Sequence, residues 1–551
     1  MKTVSLLFSL SLTLLGSQAF AQHPKIAHDI DTHDQAATAN VIVQFTSTPT
    51  SVHHRKVTDR GGVYKSTLGL VNGGSYSIPV SALGDLANDP EVAYISPDRP
   101  LQGQLDNVTS AVNASAAWST GLTGAGIGVA IIDSGITPST DLPAGSIVYN
   151  GTYVNNDAHD YYGHGSHVAG IIAGNGARSH CSQCFRNLQG LAPGVKLINM
   201  RVLDQNGVGT DSTVINAINK VISLKATYNI RVLNLSLGRP VYESYTKDPL
   251  CQAVEAAWKA GIVVVVSAGN EGRNNSVGNQ GYGTITAPGN DPYVITVGAM
   301  NTNQTPSRTD DKMASYSSKG PTAIDHIVKP DLVAPGNKVV SLYSSTGSMY
   351  STYASNAVPM SYFMNYAGNG NSNLYFTLSG TSMATPVVSG AVALMLQAHP
   401  ALTPDQVKAR LMLTAYKALP KTSTASDPTT GQTFTSQADA FTVGAGYLDI
   451  AAALANTIAF TGTANSPVAT YNSTTKVNGL VCGPLSICAS SSVWGNSSVW
   501  GNSSVWGNSS VWGNSSVWGN SSVWGNSSVW GNSTTTAASA EAVSIAINGE
   551  N

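Results

Sequence analysis

Between residues 105 and 460 the chain alternates short apolar runs, rich in β-branched residues, with stretches of helical period. The runs are GVAII ending at Ile132, VKLINMRV ending at Val202, IRVLNLSL ending at Leu237, GIVVVVS ending at Ser267 and YVITVGA ending at Ala299. Most are apolar at nearly every position rather than at alternate ones, the mark of a strand buried on both faces. Between them Val214, Ile218, Val221 and Ile222 fall at i, i+4, i+7 and i+8, one face of a helix. Buried strands separated by amphipathic helices predict an α/β domain whose mostly parallel sheet is covered by helices on both faces. In such a sheet the ligand crevice lies beyond the carboxyl ends of the strands.

The pattern differs on either side of this stretch. Residues 22–104 hold NVIVQF, a strand, and VSALGDLANDPEVAYISPD, a helix, turn and strand, which together predict a small α+β unit with its structured core at about 41–98. Ahead of it Met1-Lys2, an apolar run from Val4 to Leu15 and Ala19-Phe20-Ala21 have the layout of a secretory signal peptide over residues 1–21. No later apolar run is long enough to cross a bilayer, so the mature chain is expected to carry no transmembrane segment and to be secreted, whether to the medium, the periplasm or the cell surface. Residues 461–490 read as a linker, 491–532 as hexads of Ser-Ser-Val-Trp-Gly-Asn, and 533–551 as a C-terminal tail. An even period puts every Trp on one face of a strand, whereas a helix would scatter them. A β-ribbon, a stacked solenoid and a low-complexity tail all remain open, and so do roles in binding cell envelope, polysaccharide or a second copy, or as an export or spacer element.

Composition narrows the choice of partners. Charged residues make up 11% of the 551 and the formal charge is -2, against a usual charged share of about a quarter. Nothing in that balance suits nucleic acid or an anionic membrane surface. Five cysteines fit an exported protein that is not built on disulfides. For Cys181 and Cys184 a local disulfide ranks ahead of an idle pair and of a metal site, Cys482 and Cys488 are spaced to close a second small loop, and Cys251 is left as a buried thiol.

Candidate chemistry lies in three short segments. SGTSMATPVVSGAVALMLQAHP, Ser379 to Pro400, starts a helix near Ser382, with Pro386 in the first turn where its missing N–H costs nothing. Ser382 there is either an N-cap or a nucleophile beside free N–H groups. Asp133 directly follows the run GVAII at the expected crevice edge, and His164 stands between two glycines directly before a helical run. Singly, each has an ordinary use as cap, turn or structural residue, and His167 is expected to be structural.

IIDSGI, HGSHVAG and SGTSMATP, in the order Asp, His, Ser, resemble the signature segments of the subtilisin-like serine peptidases. NLSLG, SAGNEG, KPDLVAPG at 329–336 and GAGYLDIAAAL extend the resemblance over most of residues 105–460. It implies a subtilisin-like fold and a secreted serine endopeptidase of broad specificity acting on polypeptides. Ser382 would be the nucleophile, His164 the general base and Asp133 its orienting partner, with the Asn270 amide and the Ser382 N–H as oxyanion hole. The substrate would lie as an extended strand between Gly207-Val208-Gly209 and Ser236-Leu237-Gly238. Its first pocket would be walled by Ser236 to Gly238 and by Ser267-Ala268-Gly269, with Thr286 at the base and no acidic residue. Asp211 is expected near a more distant subsite, favouring a polar or basic residue.

Residues 22–104 would be an inhibitory propeptide, the chain's own intramolecular inhibitor, removed by autocleavage between Leu101 and Asn113. The chemistry needs no cofactor. The insertion NGARSHCSQCFRNLQ stands where better-known members carry a calcium loop, so structural calcium is possible but without a clear site, Asp141, Asp157 and Asp160 being loose candidates. A second insertion, Tyr343 to Phe376, forms either crevice rim or surface loop. The rival readings are a catalytically idle relative that binds through its Trp repeats and a different serine hydrolase; the second lacks Gly-x-Ser-x-Gly around Ser382.

Overall fold

The structure, a computed structural model, describes residues 23–27, 30, 32, 34–97, 106–154, 157–276, 278–365, 370–472, 477–482, 486 and 540–551. The signal segment, residues 101–105 of the expected autocleavage region, Cys488 and the hexad repeats lie outside the described residues. The chain divides into two units, residues 1–101 and 102–551.

In the first unit β1 (Thr38–Phe45), β2 (Val63–Leu68), β3 (Gly73–Pro79) and β4 (Val92–Pro97) form an antiparallel sheet in the order β2-β3-β1-β4. Helices α1 (Ser51–Thr58) and α2 (Leu83–Ala87) complete it. Val41, Val43 and Phe45 alternate inward from β1 and meet Tyr76, Ile78, Leu86 and Ile95 in the core. The periodicity of NVIVQF and of residues 80–98 marks β1, α2 and β4. It misses β2, an edge strand exposed along most of its length, whose VYKSTL carries no apolar alternation.

The second unit begins with short helices α3 (Asp106–Ala111) and α4 (Ser115–Trp118) and then β5 (Gly128–Asp133), buried at every position. After it come β6 (Ile147–Thr152), α5 (His164–Ala173), β7 (Lys196–Arg201), α6 (Asp211–Tyr228), β8 (Ile230–Leu235), α7 (Pro249–Lys259), β9 (Val263–Ser267) and β10 (Ile295–Asn301). These strands pair in parallel in the order β6-β7-β5-β8-β9-β10. On β10 sit β11 (Lys312–Met313), antiparallel, and β12 (Leu332–Pro335), parallel. Helices α6 and α7 pack on each other over β5, β8 and β9. On the other face α5 packs against α9 (Thr381–Ala398), which runs under β8, β9, β10 and β12. The expected architecture, a mostly parallel sheet covered by helices, is what forms. Because β7 and β8 flank β5 on opposite sides, the crevice of such a sheet opens at the carboxyl end of β5, where Asp133 stands.

Pro386 is the sixth residue of α9, beyond the first turn in which the sequence reading places it. Its missing N–H therefore removes a helical bond to the carbonyl of Ser382, and the Ser236 hydroxyl supplies the partner instead, donating at 2.9 Å.

The segment Tyr343 to Phe376 is part of a second layer. β13 (Val339–Leu342), β14 (Ala357–Pro359) and β15 (Asn371–Leu378) form an antiparallel sheet in the order β13-β15-β14, with helix α8 (Ser348–Thr352) between. The remaining elements are α10 (Pro404–Thr414), the hairpin of β16 (Thr422–Ser426) and β17 (Thr433–Gln437), α11 (Ile450–Ala455), the hairpin of β18 (Val468–Asn472) and β19 (Val477–Val481), and α12 (Ala540–Asn548). Within the stretch 461–490, a linker by composition, residues 467–469 are tied to the same unit: the carbonyl of Pro467 accepts from Val328 N–H, and Ala469 N–H donates to the carbonyl of His326.

Candidate active site

The carboxyl ends of adjacent strands bring the candidate residues together. Asp133 closes β5 and is buried. His164 opens α5, and its Nδ1 lies 2.8 and 3.0 Å from the two carboxylate oxygens of Asp133. An ionised carboxylate only accepts, so it fixes the tautomer with the proton on Nδ1 and leaves the Nε2 lone pair free. Burial pulls the imidazole pKa down, but the charge and hydrogen bond of Asp133, with a smaller contribution from Asp160, more than offset this and raise it above the ordinary histidine value.

Ser382 is the second residue of α9. Its Oγ donates to the carbonyl of Ser236 at 3.1 Å, and no bond to His164 forms among the described residues. The nucleophile candidate thus rests in a rotamer turned toward β8, and such contacts often form only with substrate in place. Asn270 follows β9. Its Oδ1 accepts from Thr381 N–H at 2.9 Å and from the Thr381 hydroxyl at 3.1 Å, which orients the amide and leaves Nδ2 without an acceptor among the described residues. Gly380 sits at φ +141°, and a Cβ there would come within 3.0 Å of Asn270 Nδ2. Only glycine leaves that space open.

The wall residues also gather. Gly238 and Gly269 both back onto Thr286: a Cβ on Gly238 would meet its Oγ1 at 2.7 Å and one on Gly269 its Cγ2 at 2.8 Å. Ala268 pairs with Thr286 through its carbonyl, and Ser267 Oγ donates to the carbonyl of Leu237 at 3.4 Å. The turn Gly207-Val208-Gly209 follows β7, with Gly207 at φ +74° and Val208 59% exposed. Among the described residues nothing pairs with the exposed backbones of Gly209 and Gly238, so both edges are open to an added strand.

Asp211 departs from expectation. Its carboxylate is engaged by Arg239, with Nε at 3.0 Å and Nη2 at 2.7 Å, and Arg239 also reaches Asp248. Its charge is therefore already matched. His167, buried, places Nε2 at 3.1 and 3.0 Å from the carbonyls of Val339 and Phe376, an internal tie as expected.

Asp160 is the residue that sequence reasoning undervalued. A loose cation candidate by sequence, it is fully buried, accepting from Ser134 Oγ and from the N–H groups of Gly163 and Ser166 at 2.7 to 2.8 Å. Ser134 in turn accepts from Gly165 N–H. Asp160 therefore binds the free N–H groups at the start of α5 to the residue after Asp133, fixing both sides of the Asp133–His164 pair. Burial raises its own pKa. No local signal marks it, since an Asp ahead of a helix start reads the same in water as when buried.

The loose cation candidates do not converge. Asp141 accepts from Arg178 N–H at 2.6 Å and from the hydroxyl of Tyr375, Asp157 bonds Tyr161 and His159, and Asp160 is enclosed as described. Among the described residues no group of three His, Cys, Asp or Glu gathers to hold a metal. Cys181 and Cys184 form a disulfide, Cys482 is disulfide-bonded, and Cys251 is a buried free thiol. The two insertions pack on one another, Phe185 and Arg186 N–H donating to the carbonyl of Phe363 and Asn365 N–H to that of Gln183. The second one also touches the His164 loop: Ser348 and Met349 N–H donate to the carbonyls of Tyr161 and Tyr162 at 3.0 Å.

The family model described as the Subtilase family matches residues 124–446. Serine protease AprX of Bacillus subtilis (strain 168) is 38% identical over 358 residues, 62% of this chain and 74% of that protein. Subtilisin E of the same organism is 32% identical over 423 residues, 75% of this chain and 93% of that one. Extracellular serine proteinase of Thermus sp. (strain Rt41A) is 31% identical over 364 residues, 64% and 72% of the two chains.

Proposed function

The chain belongs to the subtilase family and is a serine-type endopeptidase acting on polypeptides, and from that premise we propose that Asp133, His164 and Ser382 hydrolyse the peptide bond through an acyl-enzyme. The observation that carries this assignment is the pair of short contacts from His164 Nδ1 to the Asp133 carboxylate. With Nδ1 so held, Nε2 takes the proton of Ser382 Oγ once substrate displaces that hydroxyl from the carbonyl of Ser236. Ser382 Oγ attacks the scissile carbonyl, His164 returns the proton to the leaving amine, and Asp133 stabilises the imidazolium between the two steps. The oxyanion is met by Asn270 Nδ2 and Ser382 N–H at the positive end of α9. Water then repeats the sequence to release the acid.

The substrate adds as a strand between Gly209 and Gly238, whose open backbones hydrogen-bond any sequence, so specificity is broad. Glycines around a small, uncharged Thr286 shape a pocket for an uncharged side chain. Residues 22–104 act as an inhibitory propeptide removed by the enzyme itself. The signal-like pattern of residues 1–21 and the similarity to an extracellular serine proteinase of Thermus sp. support export. Asp141 accepts from Arg178 N–H and from the Tyr375 hydroxyl and so ties the insertion to its loop, and the chemistry uses no cofactor.

Intact mass and amino-terminal sequencing of secreted wild type beside Ser382→Ala test the reading. The wild type is expected to lose residues up to about 103 while Ser382→Ala keeps them. Identical maturation of both would remove self-processing from the proposal.

A further inference from the structure

The last twelve residues, which composition marks as a tail, are built into the peptidase unit. In α12 Ile545 is completely buried in the main core. Gly549 then turns at φ +62°, where a Cβ would lie 2.6 Å from Ser379 Oγ, and Glu550 enters the interior with 1% of its surface exposed. Its carboxylate accepts from Arg273 Nη2 at 3.0 Å, from Ser315 N–H at 3.1 Å and from the Ser315 hydroxyl. Its backbone is held on both sides by Asn337, whose Nδ2 donates to the Glu550 carbonyl and whose Oδ1 accepts from Glu550 N–H, each at 3.0 Å. Asn551 and Ser426 exchange a reciprocal pair of backbone bonds at 3.1 Å.

A carboxylate is costly to bury unless it is paired, so this is a specific seat rather than a chance contact. The seat adjoins both arms of the proposed oxyanion hole. Arg273 lies three residues beyond Asn270, and all of its nitrogens are used: Nε on Ser315 at 2.9 Å, Nη1 on Asp427 at 2.6 Å and Nη2 on Glu550. On the other arm the carbonyl of Ala546 accepts from Ser379 N–H at 2.9 Å, one residue before Gly380 and three before Ser382.

We infer that residues 540–551 are a strap that positions the oxyanion hole, with Glu550 as its positioning residue. Glu550 restrains the Asn270 turn through Arg273, and Ala546 restrains the start of α9 through Ser379. The hexad repeats are then an internal segment between two anchored points, β19 and α12. The inference rests on the assignment of Asn270 and Ser382 above.

Displacing a donor by a fraction of an ångström costs less than deleting it, so Glu550→Ala is expected to lower kcat about 10-fold. KM should stay within about two-fold, with rates expressed per active site titrated by a fluorophosphonate. Glu550→Gln, which keeps the bonds to Ser315 and loses the charge opposite Arg273, should fall between. A strap that only holds the fold together would reduce the titratable fraction and leave kcat per site at the wild-type value, and that result for both variants overturns the inference. If neither variant yields titratable enzyme, the full chain carrying a site for an exogenous cysteine protease between Asn532 and Ala540 is matured first and then cut. Retention of the 540–551 fragment at full rate, or its loss on gel filtration with a fall in kcat per site, supports the strap. Loss of the fragment at unchanged kcat overturns it. A wild-type enzyme that neither cleaves casein nor reacts with the fluorophosphonate would instead sink the assignment of Ser382.

Discussion

At the scale of the residue, the site depends on groups with one free function left after the fold has used the rest. Asn270 spends Oδ1 on Thr381 and keeps Nδ2. Asn270→Ala is therefore expected to lower kcat by about 10²- to 10³-fold with KM little changed, the magnitude such a donor carries in subtilisins. Steady-state kinetics on a peptide anilide check it, and a matching rise in KM would point to a binding role instead. Asp160 works one step further out. Replacing it by Asn removes a negative charge that raises the pKa of His164. His164 must be neutral to accept the serine proton, so the acid limb of kcat/KM should move to lower pH while the plateau falls through looser alignment of α5. An acid limb that stays in place would show that Asp160 acts on the backbone alone. The proposed nucleophile, base and oxyanion donor are legible as residue types within short motifs. Asp160 is not, because its role depends on burial by residues far along the chain, such as Ser344, whose hydroxyl donates to its carbonyl.

Elements place these residues through close backbone approaches that only missing side chains permit. A Cβ on Gly165 would lie 2.2 Å from the carbonyl oxygen of Gly135, so α5 can abut the turn after β5 only with glycine there. Gly165→Ala is expected to separate His164 from Asp133 and to destabilise the fold by about 3 kcal/mol. Thermal melts of the inhibited enzyme together with kcat/KM check it; unchanged values for both would mean that the turn yields freely. The strands were readable from their continuous apolar runs, with ends shifted by a residue or two. IRVLNLSL continues to Leu237 as a pattern, yet β8 stops at Leu235, and the carbonyl of Ser236 accepts from Ser382 Oγ instead of from a neighbouring strand. That partner comes from far along the chain, and no local period contains it.

For the molecule as a whole, the same low charge content that makes the surface neutral places its few charges in demanding positions. Lys329 and Lys408 flank Asp331 inside the unit at 2.8 and 3.1 Å, and Arg273 joins Asp427 and Glu550. His167 is the clearest source of pH-dependent stability. Burial, helped by the nearby His164, pushes its pKa down to about 3, so the unfolded chain binds a proton between that value and about 6.5 while the native one does not. Its contribution is complete above about pH 6.5 and is lost as the pH falls toward 3, by at most about 5 kcal/mol at about 1.4 kcal/mol per pKa unit. Denaturant melts of the fluorophosphonate-inhibited enzyme between pH 7 and 4 should show a shallower loss in His167→Asn than in wild type, and equal slopes would assign the acid sensitivity to the carboxylates.

By itself the sequence determined the parallel sheet, the order of Asp133, His164 and Ser382, the helix that starts beside Ser382 and the serine chemistry of the site. These are written in neighbouring residues: a strand's burial on both faces, a helix's period and a small-residue motif all fit within a few turns of chain. Tertiary structure alone decided that Asp160 is a buried anchor, that Asp211 is matched by Arg239, that the two insertions support each other and that Glu550 returns to the site. Each is a polar group whose state depends on a partner reached only after folding, Glu550 and Arg273 being 277 residues apart. A carboxylate has the same local signature in water as in a buried ion pair, and only the packed structure tells them apart.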